Sequence, residues 1–315
     1  MRDSSTFAIR PRKYSSAAIR KDFRKNKMLF LMLIPLIAYY LVFHYLPMAG
    51  IYLSFVDYKP KLGIFRSKFV GLQNFSDFFH SIYAWRVIRN TLVISLSEIA
   101  ISFPLTIIFA LLLNEVINRR FKRTLQTVSY LPYFISMVVA AGIIKDAVSS
   151  RGFVSQFVGM LTGRTEDLLS RNQAWLPIYI ISGIWQNMGF GSIIYIAALA
   201  GVDQELYEAA VIDGANRWKQ TWHVTIPGIS GTIIIMLILR IGNMLAVGYE
   251  KTILLYNPQI YERADIISSY VYRRGLQDFD YSYASAVGLF NSIANMTLLL
   301  IANTLSRKMT ETSLF

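Results

Sequence analysis

Long apolar runs alternate with short polar, charged segments along the whole chain. Crossing a bilayer takes about 20 mostly apolar residues in one helix, and six stretches reach that length: 28–55, 90–113, 125–148, 175–202, 229–256 and 286–305. The first is longer than needed, and Pro47 within it predicts a kink or an early end. A basic segment precedes it, as in a signal peptide. The apolar run is too long for a secretory signal core, however, and no clean small-x-small cleavage site comes after it, so it reads as a retained span. The pattern predicts an all-α integral membrane protein of six transmembrane helices. Its expected parts are a basic N-terminal segment (1–27), a membrane domain (28–305) with a polar loop at 203–228, and a short tail (306–315).

Charge then sets the orientation. Residues 1–27 carry nine Lys and Arg, the segment "NEVINRRFKRT" (114–124) adds four, and Arg307 and Lys308 come after the last span. Eleven more are spread over the longer loops 57–88, 149–174 and 257–285. Lys and Arg accumulate on the cytoplasmic side, so both termini and loop 203–228 are expected there, in a bacterial inner or plasma membrane. Tyr58, Phe65, Phe69, Tyr83, Trp85 and Trp175 fit interfacial belts on the outer side. The net charge of +13 therefore reads as topology, with lipid rather than nucleic acid as its partner. Composition agrees: 54% of the 315 residues are apolar and 16% charged, against roughly 25% charged in soluble domains. There are no cysteines, so disulfides and thiolate metal sites are excluded.

Loop 203–228 is organised. Asp203 is an N-cap candidate, with Glu205 in the first turn, where the helix dipole favours an acid. Leu206, Ala209, Ala210 and Asp213 make a narrow face of mostly small side chains. Gly214 falls where a helix ends in a left-handed residue. Asn216 can cap a second short helix with Trp218 and Trp222 on one face, which Pro227 is expected to end. The first helix is about 15 Å long at 1.5 Å per residue, too short to span. By these features alone it is either a docking element for another protein's groove or a structured connector.

A resemblance chooses between them. "EAAVIDGANRWKQTWHVTIPGI" (208–229) resembles the EAA loop of permease subunits of type I ABC importers, matching at Glu208, Ala209, Ala210, Gly214, Ile226 and Pro227. Asp213-Gly214-Ala215 resembles the carbohydrate-uptake branch. "LIPLIAYYLVFHYLPMAGIYLSFVDYKPKLGIFRSKFVGLQNFSDFF" (33–79) is similar to permeases for complex oligosaccharides such as alginate and pectin fragments. The resemblance implies a transport subunit and not an enzyme, with the 203–214 helix coupling it to an ATPase. Glu208 would make the charged contact, Ala209 and Ala210 would keep the face thin, Gly214 would permit the turn, and Asp213 and Arg217 would pair locally or across the interface. The partners implied are ATPase subunits, a second related permease and an extracytoplasmic sugar-binding protein. No G-x-x-x-x-G-K-[ST] loop is present to cradle ATP phosphates, so ATP and Mg would belong to the ATPase and this chain would bind no cofactor or metal.

Charges within spans are costly and call for a purpose. Glu98 and Arg240 are the deepest and read as a structural or gating pair, with pore lining as the alternative. Lys145 and Asp146 lie near a span end, where they can snorkel. Glu250 and Lys251 are expected to face a water-filled cavity. For the solute pathway, "GIWQNMGFGSIIY" (183–195) offers Trp185, Gln186, Asn187 and Phe190 among glycines, and the fifth span adds Asn243 and Tyr249. Each of these, alone, reads more readily as a helix-packing residue, and it is as a cluster that they mark a pathway. A membrane enzyme would need a catalytic constellation, yet His44, His80 and His223 are scattered without ligand spacing. A channel or secondary transporter would need no ATPase-docking loop, and no inverted repeat is evident. A permease for peptides is the rival within the class, which the Asp-Gly-Ala extension and the 33–79 stretch disfavour.

Overall fold

A computed structural model describes residues 25–310. Most of the basic segment 1–27 and the end of the 306–315 tail lie outside the described residues. Of the described residues, those up to Tyr52 form one compact unit and those from Leu53 onward another. The first contains most of helix α1 (Lys27–Phe55). None of the α1 side chains from Lys27 to Tyr45 is buried within the chain. Pro47 does not end this helix early: a π-turn over Leu41–Tyr45 precedes the proline, and the chain continues as 3-10 helix from Ala49 to Phe55. The wider turn accommodates the missing N–H.

In the second unit the chain is helical apart from loops and a two-stranded antiparallel ribbon pairing Val56 with Phe69 and Asp57 with Lys68. Helices α2 (Gln73–His80) and α3 (Ala84–Glu115) come next, the latter crossing the second predicted span in one piece. The third predicted span is broken. Helix α4 (Arg119–Phe134) meets the stretch Met137–Thr162 at 101°. Pro132 sits in a closing 3-10 turn, Ile135 is extended, and Ser136 Oγ caps the next helix by accepting from Val139 N at 3.4 Å. That next helix is α5 (Met137–Val148), and after it comes α6 (Phe153–Thr162). The fourth predicted span falls on α7 (Asn172–Gly191) and α8 (Ile193–Leu199), with a hitch at Ser192.

Helix α9 (Gln204–Ile212) occupies the polar loop. Helix α10 (Arg217–Gly228) bends by 62° into α11 (Ser230–Gly242). Pro227 therefore lies within the last turn of α10, and the bend falls at Ile229 instead. The fifth span is broken a second time over 243–248 before α12 (Tyr249–Leu255). Helices α13 (Ile267–Tyr272) and α14 (Tyr281–Thr310) complete the chain. Three of these helices are long and apolar enough to cross a membrane, or five when each bent pair is one span. The fourth predicted span falls short, being punctuated by Gln186, Asn187 and the hitch.

Three clusters hold the second unit, and two of them take residues from α7 and α8. In one, Ile94 of α3, Ile144 of α5, Trp175 and Tyr179 of α7 and Leu255 of α12 close around one another with Ile260 and Ile266. In the other, Ala110 of α3 packs with Tyr195, Leu199, Val202 and Ile229. Outward side chains such as Leu96, Ile101, Ile108 and Leu112 are exposed and apolar, a surface suited to lipid tails. Small residues let helices approach, as between membrane helices generally. At Gly189 of α7, an added Cβ would stand 2.0 Å from the Ser129 carbonyl oxygen of α4. Gly189→Ala is expected to cost about 1–3 kcal/mol by overpacking, read as a lower thermal midpoint of the purified chain. An unchanged midpoint would show that the crossing opens freely.

Candidate functional site

In the fifth predicted span the backbone leaves the helix over 243–248. Non-helical backbone at membrane depth persists only where its polar groups find partners or face water. Here the partners come from neighbouring helices. Leu245 N donates to Asn295 Oδ1 at 2.8 Å, Ser95 Oγ donates to the Met244 carbonyl, and Ser268 Oγ donates to the Val247 carbonyl at 3.0 Å. The break is thus a built feature, held from three sides.

It forms one wall of a cavity of about 480 Å³, lined also by α3, α7, α8 and α11. Helix α3 opens a π-turn at Glu98–Ser102, a device that re-aims side chains and recurs at functional sites. Glu98 Oε2 accepts from Arg240 Nη2 at 3.2 Å across the cavity wall. The two side chains are 25% and 46% exposed, so the pair faces the cavity rather than the packed interior.

Of the residues singled out for a solute pathway, Asn187 and Asn243 line this cavity with Glu98 and Arg240. Each asparagine Nδ2 donates back to its own helix, to Gly183 O and Leu239 O, at 3.0 Å. The others lie elsewhere. Trp185 is exposed on another face of α7. Gln186 is buried and donates to the Ile135 carbonyl at 3.4 Å, tying α7 to the break in the third span. Phe190 stacks on Tyr133 with ring centroids 3.9 Å apart. Tyr249 and Glu250 are exposed and outside the lining, Tyr249 stacking on Tyr272 at 6.4 Å. Neighbours along a helix point about 100° apart, so one short stretch serves three surroundings. Lys251 also departs from expectation: it is buried, with its ammonium donating to Tyr179 O at 2.7 Å and lying 4.2 Å from that ring's centre. Sequence reading missed Ser95, Ser102 and Thr106, which line the cavity beside Glu98. Counted with Glu98, their spacing of three, four and four was the available signal.

The polar loop folds as its caps require. Asp203 Oδ1 accepts from Glu205 N and Asn216 Oδ1 from Lys219 N, both at 3.0 Å. Gly214 is left-handed at φ 74°. The turn is closed by Ala215 N to Ala210 O at 2.8 Å and Gly214 N to Val211 O at 3.0 Å. Tyr207 Oη reaches Thr225 Oγ1 at 3.0 Å, fixing α9 against the second helix. None of the α9 side chains is buried: Glu208 and Ala209 are exposed, and so are the apolar Leu206, Val211, Ile212, Trp218 and Trp222. Arg217 pairs with Glu115 of α3 at 3.5 Å, not with Asp213.

Residues 102–310 match the family described as binding-protein-dependent transport system inner membrane component. The protein LplB of Bacillus subtilis is 42% identical over 95% of this chain and 93% of its own length. The polygalacturonan/rhamnogalacturonan transport system permease YteP of the same organism is 39% identical, over 92% and 91%. A chain in the crystal structure of a bacterial ABC transporter that imports the acidic polysaccharide alginate superposes with a TM-score of 0.86 at 38% identity, over 93% of this chain and 99% of that one. A crystal structure of the bacterial alginate ABC transporter with its alginate pentasaccharide-bound periplasmic protein agrees equally well, at 39% identity. Matched along nearly its whole length by transport permeases, the chain belongs to the family of inner membrane components of binding-protein-dependent transport systems.

Proposed function

We propose that this chain is one permease of an ATP-driven importer that carries an oligosaccharide, delivered by an extracytoplasmic binding protein, into the cytoplasm. The observation that carries the reading is the full-length likeness to the alginate importer's chain, at 38% identity over 93% of this one. The domain is a six-span type I permease with both termini cytoplasmic. The broken third and fifth helices and the fourth each supply one crossing. The basic segment 1–27 and the tail 306–315 flank it. A second, related permease completes the pathway as a heterodimer, and partner ATPase subunits hold ATP and Mg.

Loop 203–228 is the coupling loop. Its exposed α9 presents Glu208 with the thin Ala209–Ala210 surface to a cleft of the ATPase, and Gly214 sets the angle to α10. Asp213 remains free to engage the partner, while Arg217, braced by Glu115, ties the loop to the inner end of α3. Closure of the ATPase pair then moves the loop as a rigid body and switches the pathway between its two faces. Asn187, Asn243, Glu98 and Arg240 mark the solute pathway.

The test is a mild-detergent pull-down of the tagged chain from its host, with the co-purifying proteins identified by mass spectrometry. An ATPase and a second multi-span protein are expected. Recovery of the chain alone under every detergent and salt condition would reduce the loop to a connector and overturn the importer reading.

A further inference from the structure

Glu98 faces a cation on each arm of the broken fifth span. Arg240, on α11 before the break, holds its Oε2 at 3.2 Å. Lys251, on α12 after the break, stands behind Gly183 of α7. A Cβ placed on Gly183 would be 3.2 Å from Lys251 Nζ and 3.9 Å from Glu98 Oε1. Only the missing side chain of Gly183 leaves ammonium and carboxylate facing the same gap. Among the described residues, Lys251 has no carboxylate within ion-pair distance, and the hydrogen bond it makes is to the Tyr179 carbonyl, one partner for three donors. Glu98 and Arg240 are the charged residues of the cavity lining, and Glu250, next to Lys251, is exposed outside it. Two cations thus share one carboxylate. An unbalanced charge inside a membrane domain is expensive unless a counter-ion arrives.

We propose that Glu98, Arg240 and Lys251 form a counter-ion exchange that selects an anionic sugar, so that the solute is an oligosaccharide of uronic acids. The solute's carboxylate takes the Arg240 guanidinium, whose planar fork suits bidentate pairing. Glu98, released, turns through the gap at Gly183 to the Lys251 ammonium. With solute bound, two carboxylates balance two cations; with a neutral sugar, one cation stays unbalanced. The inference rests on the oligosaccharide reading above and narrows it to one charge class.

The experiment uses the complex that co-purifies with the tagged chain, in lipid nanodiscs, and two uronate trisaccharides, trigalacturonate and trimannuronate, each beside its methyl ester. The readout is the shift in thermal midpoint with sugar concentration. At least one free acid is expected to stabilise the wild type, and its ester to leave it unshifted. Lys251→Met is expected to raise the half-maximal concentration by about tenfold or more, the scale of one lost charge-assisted interaction. Lys251→Arg should restore it. Gly183→Ala should act like Lys251→Met, since its methyl fills the exchange gap without changing any charge. Equal shifts by acid and ester, no shift with any of the four sugars, or a wild-type response in Lys251→Met would each overturn the inference. Failure of the oligosaccharide reading is read separately: deleting the gene would then leave growth on pectin-, alginate- and starch-derived oligosaccharides unchanged.

Discussion

Gly214→Val is expected to reduce solute uptake by more than about tenfold while the chain still reaches the membrane at wild-type level, because the substitution strikes the angle of the loop and not the folding of the spans. A Cβ at Gly214 would meet nothing within 4 Å, so space is not the obstacle. The backbone is: at φ 74° a side-chain-bearing residue costs roughly 1–2 kcal/mol, and a β-branched one suffers most. The left-handed residue lets Ala215 N reach Ala210 O and Gly214 N reach Val211 O. Valine relieves its strain by giving up those bonds, and α9 then loses its fixed angle to α10. The ATPase of the purified complex should keep turning over with its response to solute lost. Gly214→Asn should recover most of the uptake, since asparagine tolerates the left-handed region. Normal uptake by the valine variant would sink the assignment of 203–228 as a coupling loop.

The turn at Gly214 was readable from sequence because its cause is local. Asp203, Gly214 and Asn216 act on backbone groups two to five residues away, and each took the predicted place. The breaks in the third and fifth spans were not read, because hydropathy averages over about 20 residues and a two-residue interruption at Ile135–Ser136 vanishes in the mean. The signals were there in Pro132 and Ser136, and in Gly242-Asn243 with Gly248. The solute-pathway candidates divide between the cavity and other surroundings for a different reason. They were assembled by closeness in sequence, whereas a cavity sees one helical face. The Glu98–Arg240 pair was foreseen as an option from the cost of intramembrane charge, and its geometry then came from the fold. Lys251 could not be placed without Tyr179, 72 residues away, a relation no local pattern encodes.

Asp265 is the extreme of what sequence hides, and its loss is expected to be the most damaging single truncation in the chain. Its side chain is fully buried, at 0% exposure. It accepts from Arg273 Nη2 at 2.6 Å and Nη1 at 3.3 Å and from Ser269 Oγ at 2.9 Å, and Arg86 Nη2 of α3 lies 3.6 Å away. Burial works against the Arg273 charge, yet the hydrogen bonds and charge of Asp265 outweigh it and hold the guanidinium above its ordinary range. The backbone around the carboxylate is tied to α3 as well, through Asn90 Nδ2 to Asp265 O at 3.0 Å and Ile267 N to Thr91 Oγ1 at 3.0 Å. Asp265→Ala leaves Arg273 and Arg86 facing each other with no counter-ion, and breaking a buried pair in this way costs about 3–5 kcal/mol. That is a large share of a typical net stability of about 5–15 kcal/mol, so a markedly lower thermal midpoint and poorer recovery from membranes are expected. Arg86→Ala should cost much less, because its contact is longer and its side chain more exposed, at 28%. The decisive comparison is Asp265→Ala with Arg273→Leu in the same chain. Replacing Arg273 as well removes the more buried and more tightly held of the two orphaned cations, leaving only the more exposed Arg86, so the double variant should be more stable than Asp265→Ala alone. If it is instead less stable by the sum of the two single losses, the damage comes from lost packing, and the buried ion pair is not what anchors the 257–280 segment to α3.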